Sequence, residues 1–433
     1  MKTQTDKGVI DKLKELKSFY TDHLKNTMLP FWLERAPDTE YGGFFTCFSP
    51  DGSKLITTDK FTWSQGRVAW LFAKLAATSA LIFSDDERKQ FMDISKLAVD
   101  YMVRYAIGPD GGYFLTKQDG TPKEYAPKMG LCPSSFTDVF IVLGLSGYAA
   151  ASKDPKLLDM AFKHFYNVEQ KVSDHSFRTA PYIIDPDMCL ASGSMSIVQL
   201  TTELHRACIA LGDSRAESLK PFAVKHCDRI FNNFRQPDGV ILEQIKKDLI
   251  PAESFLGRFI NPGHSTEMGW FILENCVIRN DDTGVSEAVN IIEKALEIGK
   301  DQDYGGILYY VDRDGGQPRG QIITEADAKA KEAYDRDWSN KLWWPHTETL
   351  YALMLAYAHT KKSSLLDEFD KLHEYTFKTF PNPDKTVGEW IQLRDREGQP
   401  ILDNVGGRLP VKDPYHAIRN FIMLIELLDS LSD

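Results

Sequence analysis

The hydrophobic pattern of this chain alternates between two periods. Short segments with alternating apolar and polar residues are centred on glycines and end in turns such as SPDG, KQDG and DREG, which predicts β-hairpins. Longer segments between them repeat their apolar residues every three or four positions, as amphipathic helices do. The pattern therefore predicts a recurring unit of one hairpin and its neighbouring helices.

The glycine-centred segments recur at a regular spacing. Five are clear, and a weaker sixth at Ser176 falls in the gap between the second and the third. The spacings are 69, about 65, about 63, 66 and 83 residues for the marks Gly42, Gly111, Ser176, Gly239, Gly305 and Gly388. A period of this size with some variation is typical of one structural repeat that carries surface insertions.

Two helical segments usually lie between consecutive hairpins. We predict twelve helices, or six pairs, near residues 10, 67, 88, 135, 155, 190, 215, 264, 286, 346, 364 and 416. The sequence contains no linker-like section, so the helix pairs predict one catalytic domain over residues 1–433. Its predicted fold is an all-α (α/α)6 barrel with short β-hairpins in the connections at one end. An open superhelical stack of helix pairs is the alternative that the same repeat permits. Closure is favoured by analogy with known toroids of six helix pairs.

Composition and charge exclude several classes of protein. The 51 basic and 62 acidic residues give a net charge of −11, and the basic residues are scattered, which is untypical of nucleic-acid binding. No apolar run approaches the roughly 18 residues that a membrane helix needs, and the N-terminus lacks the features of a signal peptide. The six cysteines lie far apart without a CxxC pair, which predicts reduced thiols in a cytoplasmic protein.

Polar residues occur where each inner helix is predicted to begin. These openings read WSQGR, PSSFTD, DPDM, NPGHSTE, WWPHTE and DPYHAIR. Several contain a proline near the first turn, where its missing N–H is tolerated. Because all six openings face the same end of the barrel, we expect residues far apart in sequence to converge on one pocket. The helix N-termini add a partial positive charge there, which favours an anionic intermediate such as an enolate or enediolate.

Two histidines in these openings are candidates for acid/base chemistry. His264 and Glu267 are three residues apart and share a helix face, as do His416 and Arg419. Imidazoles titrate near neutral pH, so two of them on different helices could remove a proton from a carbon on one face and return it on the other. The structural alternative is that the histidines and Glu267 only cap the helix start.

The motifs for metals and nucleotides are absent from the sequence. There is no HExxH, no pair of histidines at helical spacing and no Cys/His cluster, so we predict no catalytic metal. A phosphate-binding GxxxxGK[ST] loop and a GxGxxG turn after a strand are missing as well. We therefore predict an enzyme without a cofactor.

The chain resembles the N-acylglucosamine 2-epimerase family of sugar epimerases and isomerases, which are (α/α)6 barrels. The resemblance runs nearly end to end and is carried by YGGFFT, TDKFTWSQGR, NPGHSTEMGWFIL, KLWWPHTETLYAL, EWIQLRDREGQP and KDPYHAIRN. It implies that His264 and His416 are the catalytic acid/base pair. It also implies contact with the substrate, or support for it, from Arg67, Glu267, Trp344, Glu348 and Arg419.

The resemblance implies a reaction as well. The sugar ring opens, a proton leaves C2 to give a cis-enediolate, and reprotonation from the opposite face interconverts N-acetylglucosamine and N-acetylmannosamine. The resemblance further suggests a small-molecule sugar as the partner, a homodimer, and ATP as an activator in some members. Nothing in the sequence itself supports nucleotide binding.

The C-terminal motif departs from the family pattern, which reads close to KGxFHxPR. Here Asp413 replaces the glycine, Tyr415 the phenylalanine and Ile418 the proline, whereas the histidine and arginine are retained. Cellobiose 2-epimerases and mannose isomerases also carry a histidine in the third inner helix, where this chain reads DPDMCL. Those activities are the first alternative function. The second is a glycoside hydrolase on the same barrel with Glu267 and Glu348 as its two carboxylates, and the third is a sugar-binding protein without catalysis.

Overall fold

The computed structural model describes residues 4–403 and 411–432. Its α-helices are α1 (Gln4–His23), α2 (Leu29–Arg35), α3 (Thr62–Ala77), α4 (Asp85–Tyr101), α5 (Ser135–Ser152), α6 (Pro155–Ser173), α7 (Ala191–Leu211), α8 (Lys220–Arg229), α9 (Phe255–Arg258), α10 (Pro262–Arg279), α11 (Asp282–Gly299), α12 (Glu325–Asp337), α13 (Trp343–Thr360), α14 (Ser363–Thr379) and α15 (Tyr415–Ser432). Short π-helical turns at Leu24–Met28, Met102–Ala106 and Ile230–Phe234 extend α1, α4 and α8, and a 3-10 turn at Ser214–Leu219 precedes α8.

Six of these helices form a closed inner ring. α3, α5, α7, α10, α13 and α15 each contact the next, and α15 packs back against α3. The outer helices surround this ring: α4, α6, α8, α11 and α14 each pack mainly against the inner helix that precedes them in sequence, and α1 packs against α15. The return contact from α15 to α3 distinguishes a closed barrel from an open stack. The prediction of an (α/α)6 barrel is therefore confirmed.

The two rings differ in where their apolar residues lie. In outer helix α6 the buried apolar residues recur every three or four positions, so they form one face. In inner helix α5 the run Val139–Leu143 is buried without interruption. An inner helix is surrounded by protein on all sides, and this explains why α5 is apolar all round.

Helix α5 bears on the expectation that the sequence contains no membrane helix. In the part of the chain that the structure describes, it is the single helix long and apolar enough to cross a membrane, with a mean hydropathy of 1.3 over 18 residues. However, 67% of this 18-residue segment is buried inside the protein. Its place in the inner ring between α3 and α7 therefore accounts for its composition.

All twelve predicted helices are present, and α2 continues α1 beyond its π-helical turn, but α9 and α12 were not predicted. α12 begins with a capping box between Thr324 and Asp327. It packs against α9 through a small apolar cluster of Phe255, Leu256 and Ala330, separate from the main core. Because this apolar face is short and formed partly by alanines, the hydrophobic periodicity of α12 is weak.

The strands are β1 (Lys60–Phe61), β2 (Ile107–Gly108), β3 (Gly111–Gly112), β4 (Leu115–Thr116), β5 (Pro122–Lys123), β6 (Met188–Leu190), β7 (Gln244–Lys246), β8 (Phe259–Ile260), β9 (Val311–Asp312), β10 (Lys341–Leu342) and β11 (Leu393–Arg394). Local hairpins form at β2–β3 and β4–β5, whereas other predicted hairpins contain a single bridge, as between Arg235 and Ile241. The remaining pairs β1–β4, β6–β7, β8–β9 and β10–β11 are antiparallel and join segments distant in sequence.

These distant pairs have a common arrangement. The segment that enters an inner helix pairs with the glycine-centred segment of the next repeat, and the amide of Lys412 donates to the carbonyl of Thr46 to close the circle. This pairing corrects the expectation of six self-contained hairpins. It holds the starts of all six inner helices together at one end of the barrel.

A buried lysine anchors this ring of strands in two of the repeats. Lys60 Nζ lies 2.6 Å from Asp38 and 2.8 Å from the carbonyl of Gly42, and Lys341 Nζ lies 2.8 Å from Asp301 and from the carbonyl of Gly305. Both glycines have positive φ, 82° and 75°. The two sites are copies of one structural device, which supports the repeat inferred from the sequence.

Candidate active site

A cavity of about 200 Å³ opens where the six inner helices begin. It is lined by residues from all six, including Arg67, Phe140, Met195, Gln199, His264, Glu267, Trp344, Tyr415 and His416. The N-termini of the six helices point towards it, so their unpaired N–H groups contribute a positive potential. This is the pocket that the polar helix openings predicted.

His264 stands in the first turn of α10. Asn261 caps this helix by accepting a hydrogen bond from the backbone N–H of His264, with Pro262 in the first helical position. The Nδ1 atom of His264 lies 3.1 Å from Oε2 of Glu243, which directly precedes β7. Burial acts to lower the pKa of His264, but the negative charge and hydrogen bond of Glu243 outweigh it and raise the pKa above its usual value.

His416 stands in the first turn of α15, on another side of the cavity. Its Nδ1 lies 2.6 Å from Oε1 of Glu348, a fully buried residue of α13. Burial lowers the pKa of His416 to about 3, and the positive charges of Arg67 and Arg419 act in the same direction. The imidazole of His416 is therefore neutral at physiological pH.

Trp344 lies between the two histidines. Its ring centroid is 5.2 Å from that of His264 and 5.4 Å from that of His416. Gly263 makes this packing sterically feasible, because a Cβ at that position would lie 2.7 Å from the Trp344 ring. The proline–glycine pair before His264 thus serves both the helix start and the aromatic contact.

Arg419 ties together a charged layer around the cavity floor. Its Nη2 donates to Glu267 at 2.8 Å and to Glu348, and its Nη1 donates to the hydroxyl of Tyr415 at 2.8 Å. Oxygen atoms of Glu267 and Glu348 and a ring nitrogen of His416 lie within 4.8 Å of one another, a spacing that could hold a metal ion. The guanidinium already supplies a positive charge to both carboxylates, so these residues are poorly suited to an additional cation.

Arg67 lies across the cavity and pairs with Asp413. Its guanidinium stacks on the ring of Phe140, 4.2 Å from the centroid. Asp413 also accepts a hydrogen bond of 2.6 Å from the backbone N–H of Tyr415, so it caps α15. The residue that departs from the family glycine therefore holds the guanidinium of Arg67 in place and starts the helix of His416.

The seven residues predicted from the sequence come together, but at two depths. Arg67, His264, Glu267, Trp344 and His416 line the cavity. Glu348 and Arg419 are buried outside its lining and contact His416 and Glu267 instead. Their position favours support of the site over contact with a substrate.

The predicted helix-face partners are wrong in detail. His264 pairs with Glu243 and not with Glu267, and His416 pairs with Glu348 and not with Arg419. Glu267 instead accepts from Arg419 of α15, two helices further along the inner ring. Residues one turn apart share a face, but their side-chain ends are drawn to different partners on neighbouring elements.

Glu243 and Gln199 were not predicted. Glu243 interrupts the apolar run VILEQI that leads into β7, and a charged residue in a buried apolar segment is a signal that could have identified it. Gln199 likewise lies on the buried face of α7.

A second cavity of about 330 Å³ extends outwards from the first and shares Trp63, Arg67, Tyr310, Trp344 and other residues with it. Tyr334 of α12 lies in its wall and stacks on Phe259, with ring centroids 4.6 Å apart. The unpredicted helix α12 therefore helps to form the mouth of the pocket.

Several known proteins are similar to this chain in sequence or in fold. Residues 43–419 match the family described as N-acylglucosamine 2-epimerase (GlcNAc 2-epimerase). The chain is 28% identical over 415 residues to the N-acylglucosamine 2-epimerase of Mus musculus, covering 93% of this chain and 90% of the mouse protein. Solved structures of a cellobiose 2-epimerase from Bacillus thermoamylovorans B4167 and of a D-mannose isomerase share its fold. The cellobiose 2-epimerase has a TM-score of 0.75 and 17% identity, and the match covers 95% of this chain and 99% of that structure. The D-mannose isomerase has a TM-score of 0.72 and 16% identity, and the match covers 95% of this chain and 97% of that structure.

Proposed function

The chain belongs to the N-acylglucosamine 2-epimerase family, and on that premise we propose that it interconverts N-acetylglucosamine and N-acetylmannosamine by proton transfer at C2. The family and its named relatives are sugar epimerases, which are isomerases. The observation that supports the proposal most strongly is the pair of imidazoles on either side of Trp344, each hydrogen-bonded through Nδ1 to its own carboxylate.

The two histidines suit opposite roles. With Nδ1 bonded to a carboxylate, Nε2 is the nitrogen left to face the cavity. Neutral His416 accepts a proton there, whereas the raised pKa of His264 favours its role as the proton donor. In the reverse direction the two residues exchange roles. General acid/base catalysis of this kind contributes about 10² to 10⁴ in rate.

The reaction then proceeds on the open-chain sugar. His416 takes the proton from C2, and the electrons of the C2–H bond move to the C1 oxygen to give an enolate, or an enediolate where C2 carries a hydroxyl. His264 delivers a proton to C2 from the other face, and the C1 carbonyl forms again. The helix N-termini and Arg67 stabilise the negative charge on oxygen.

The supporting residues receive roles from their positions. We assign substrate contact to Arg67, Glu267 and Trp344, since these line the cavity. Glu348 and Arg419 position His416 and Glu267 from outside it.

We further propose that the whole chain acts as one catalytic domain in a reducing cytoplasm, because five of its six cysteines are buried free thiols. The homodimer stays a prediction.

Proton NMR in heavy water tests the reaction. The protein incubated with N-acetylglucosamine should give N-acetylmannosamine and place deuterium at C2 of both sugars. A double variant, His264→Asn with His416→Asn, serves as the control without either imidazole. If the unchanged protein yields neither deuterium at C2 nor N-acetylmannosamine, the proposed substrate is wrong.

The outer cavity favours epimerisation of a disaccharide as a second candidate, and isomerisation of mannose is the related alternative from the sequence. Its volume of about 330 Å³ leaves space beyond the sugar that reacts. Deuterium at C2 of cellobiose would select disaccharide epimerisation, and a ketose formed from mannose would select the isomerisation. The glycoside hydrolase alternative has less support, because Glu267 and Glu348 both bond to Arg419 and Glu348 lies outside the cavity lining.

A further inference from the structure

Gln199 occupies the floor of the catalytic cavity, on the third inner helix. It borders both the cavity of the two histidines and a small void beneath it. Its Nε2 donates a hydrogen bond of 3.1 Å to the hydroxyl of Tyr415, the residue next to His416. The side chain is only 9% exposed, so its amide is fixed by this contact.

The hydrogen bonds leave one acceptor and one donor unused. Within the described chain, Oε1 of Gln199 receives no hydrogen bond, and it is not among the fully enclosed unpaired atoms. The Tyr415 hydroxyl accepts from Gln199 Nε2 and from Arg419 Nη1 at 2.8 Å. A phenol oxygen has two acceptor sites and one hydrogen, so the hydrogen of Tyr415 is left to donate.

Apolar side chains lie next to this polar pair. Met195 is four residues before Gln199 on the same face of α7 and also lines the cavity. Phe271 of α10 borders both voids together with Gln199. A secondary amide with a short alkyl group would fit this arrangement of one acceptor, one donor and an apolar wall. A hydroxyl group has no alkyl chain that could pack against the apolar wall.

We propose that Gln199 and Tyr415 bind the 2-acylamido group of the substrate. Oε1 of Gln199 accepts from the amide N–H, the Tyr415 hydroxyl donates to the acyl carbonyl, and Met195 and Phe271 contact the acyl chain. The proximity of Tyr415 to His416, with ring centroids 5.4 Å apart, places the amide beside C2. This inference rests on the proposed function and names the residues that distinguish a 2-acylamido sugar from a 2-hydroxy sugar.

Binding of unreactive sugar alcohols tests the inference separately from catalysis. The probes are 2-acetamido-2-deoxyglucitol and glucitol, which lack the C1 carbonyl and cannot epimerise. We expect Gln199→Met to weaken binding of the acetamido compound about tenfold, the effect of one lost hydrogen bond, with binding of glucitol unchanged. Gln170→Met on the exposed surface of outer helix α6 is the matched control and should change neither.

Tyr415→Phe provides a second variant that keeps the ring. It should weaken binding of the acetamido compound by a similar factor. The double variant should lose less affinity than the product of the two single losses, because Tyr415 also holds Gln199 in place. Thermal unfolding confirms that each variant is folded. Equal losses of affinity for both sugar alcohols, or unchanged affinity for the acetamido compound, would overturn the inference.

Failure of the inference and failure of the proposed function give different results. If the unchanged protein epimerises N-acetylglucosamine but Gln199→Met binds both sugar alcohols as before, the reaction stands and the amide site is wrong. If binding depends on Gln199 but no deuterium enters C2, the amide site stands and the reaction is wrong.

Discussion

The Nδ1 atom of His416 lies 2.6 Å from Oε1 of Glu348, and the exposed fractions of the two side chains are 8% and 0%. The same carboxylate accepts from Trp270 Nε1 at 2.9 Å and from Arg419. Three donors therefore fix Glu348, and Glu348 in turn fixes one orientation of the imidazole. A proton acceptor held in this way has its free nitrogen in place before the substrate arrives.

Replacing Glu348 by glutamine should lower kcat at least about tenfold with little change in KM, because the imidazole loses its carboxylate partner and its orientation. Steady-state kinetics on N-acetylglucosamine give the two constants. Glu389→Gln is a matched control, since Glu389 is also buried and accepts from a tryptophan, Trp32 Nε1 at 2.7 Å. It should lose stability but retain kcat per folded molecule; equal kcat losses in both variants would contradict a specific role for Glu348.

Each single histidine variant should separate exchange from inversion. With His264→Asn, His416 can still remove and return a proton on its own face, so deuterium should enter C2 of one epimer without formation of the other. With His416→Asn the other epimer should exchange. Proton NMR in heavy water with each pure sugar measures both. If either variant exchanges both epimers, one base serves both faces and the two-base mechanism is wrong.

The pH profile should have its alkaline limb set by His264. Catalysis requires a neutral His416, present above its pKa of about 3, and a protonated His264, present below its raised pKa. The value of kcat/KM should therefore fall as the pH rises through the pKa of His264. Glu243→Gln removes the charge that raises this pKa, so the alkaline limb should move to lower pH. An unchanged limb in that variant would assign it to another group.

The buried pair of Lys341 and Asp301 should be important for stability. Both side chains are fully buried, and in Lys341→Met Asp301 would keep Arg396 as its one ionic partner among the described residues. Breaking a buried pair on one side typically costs about 3 to 5 kcal/mol. Urea unfolding measures the loss, and Lys378→Met on exposed positions of α14 should change stability by less than about 0.5 kcal/mol. Similar values for the two variants would show that the buried lysine is dispensable.

The contribution of Asp301 to stability depends on pH because of its contact with Lys341. Burial opposes ionisation of Asp301, but the hydrogen bonds from Arg396 and Lys341 outweigh it and lower the pKa of Asp301 below its usual value of 3.8. Its contribution is therefore present above the unfolded pKa and is lost as the pH falls through the lower folded value. In Lys341→Met this acid-dependent loss of stability should be smaller.

The sequence by itself determined the helices and the end of the barrel that carries the site. Periodicity identified the twelve helices of the two rings because each buries a continuous face or its whole surface. A buried face requires apolar residues at regular positions, and these can be recognised in the sequence. It failed for α12, whose buried face is a short one of small residues against a four-residue helix. Prolines and polar residues at the helix starts placed His264 and His416 in one pocket, since helices joined by the same kind of connection begin at the same end.

Only the tertiary structure decided which residues act together. The partners of the two histidines, Glu243 and Glu348, lie 21 and 68 residues away along the chain. The closed ring places Gln199 beside Tyr415 across 216 residues. Spacing within one helix predicts a shared face, but hydrogen bonding depends on the directions of side-chain ends, and those are set by neighbouring helices that meet only when the barrel closes.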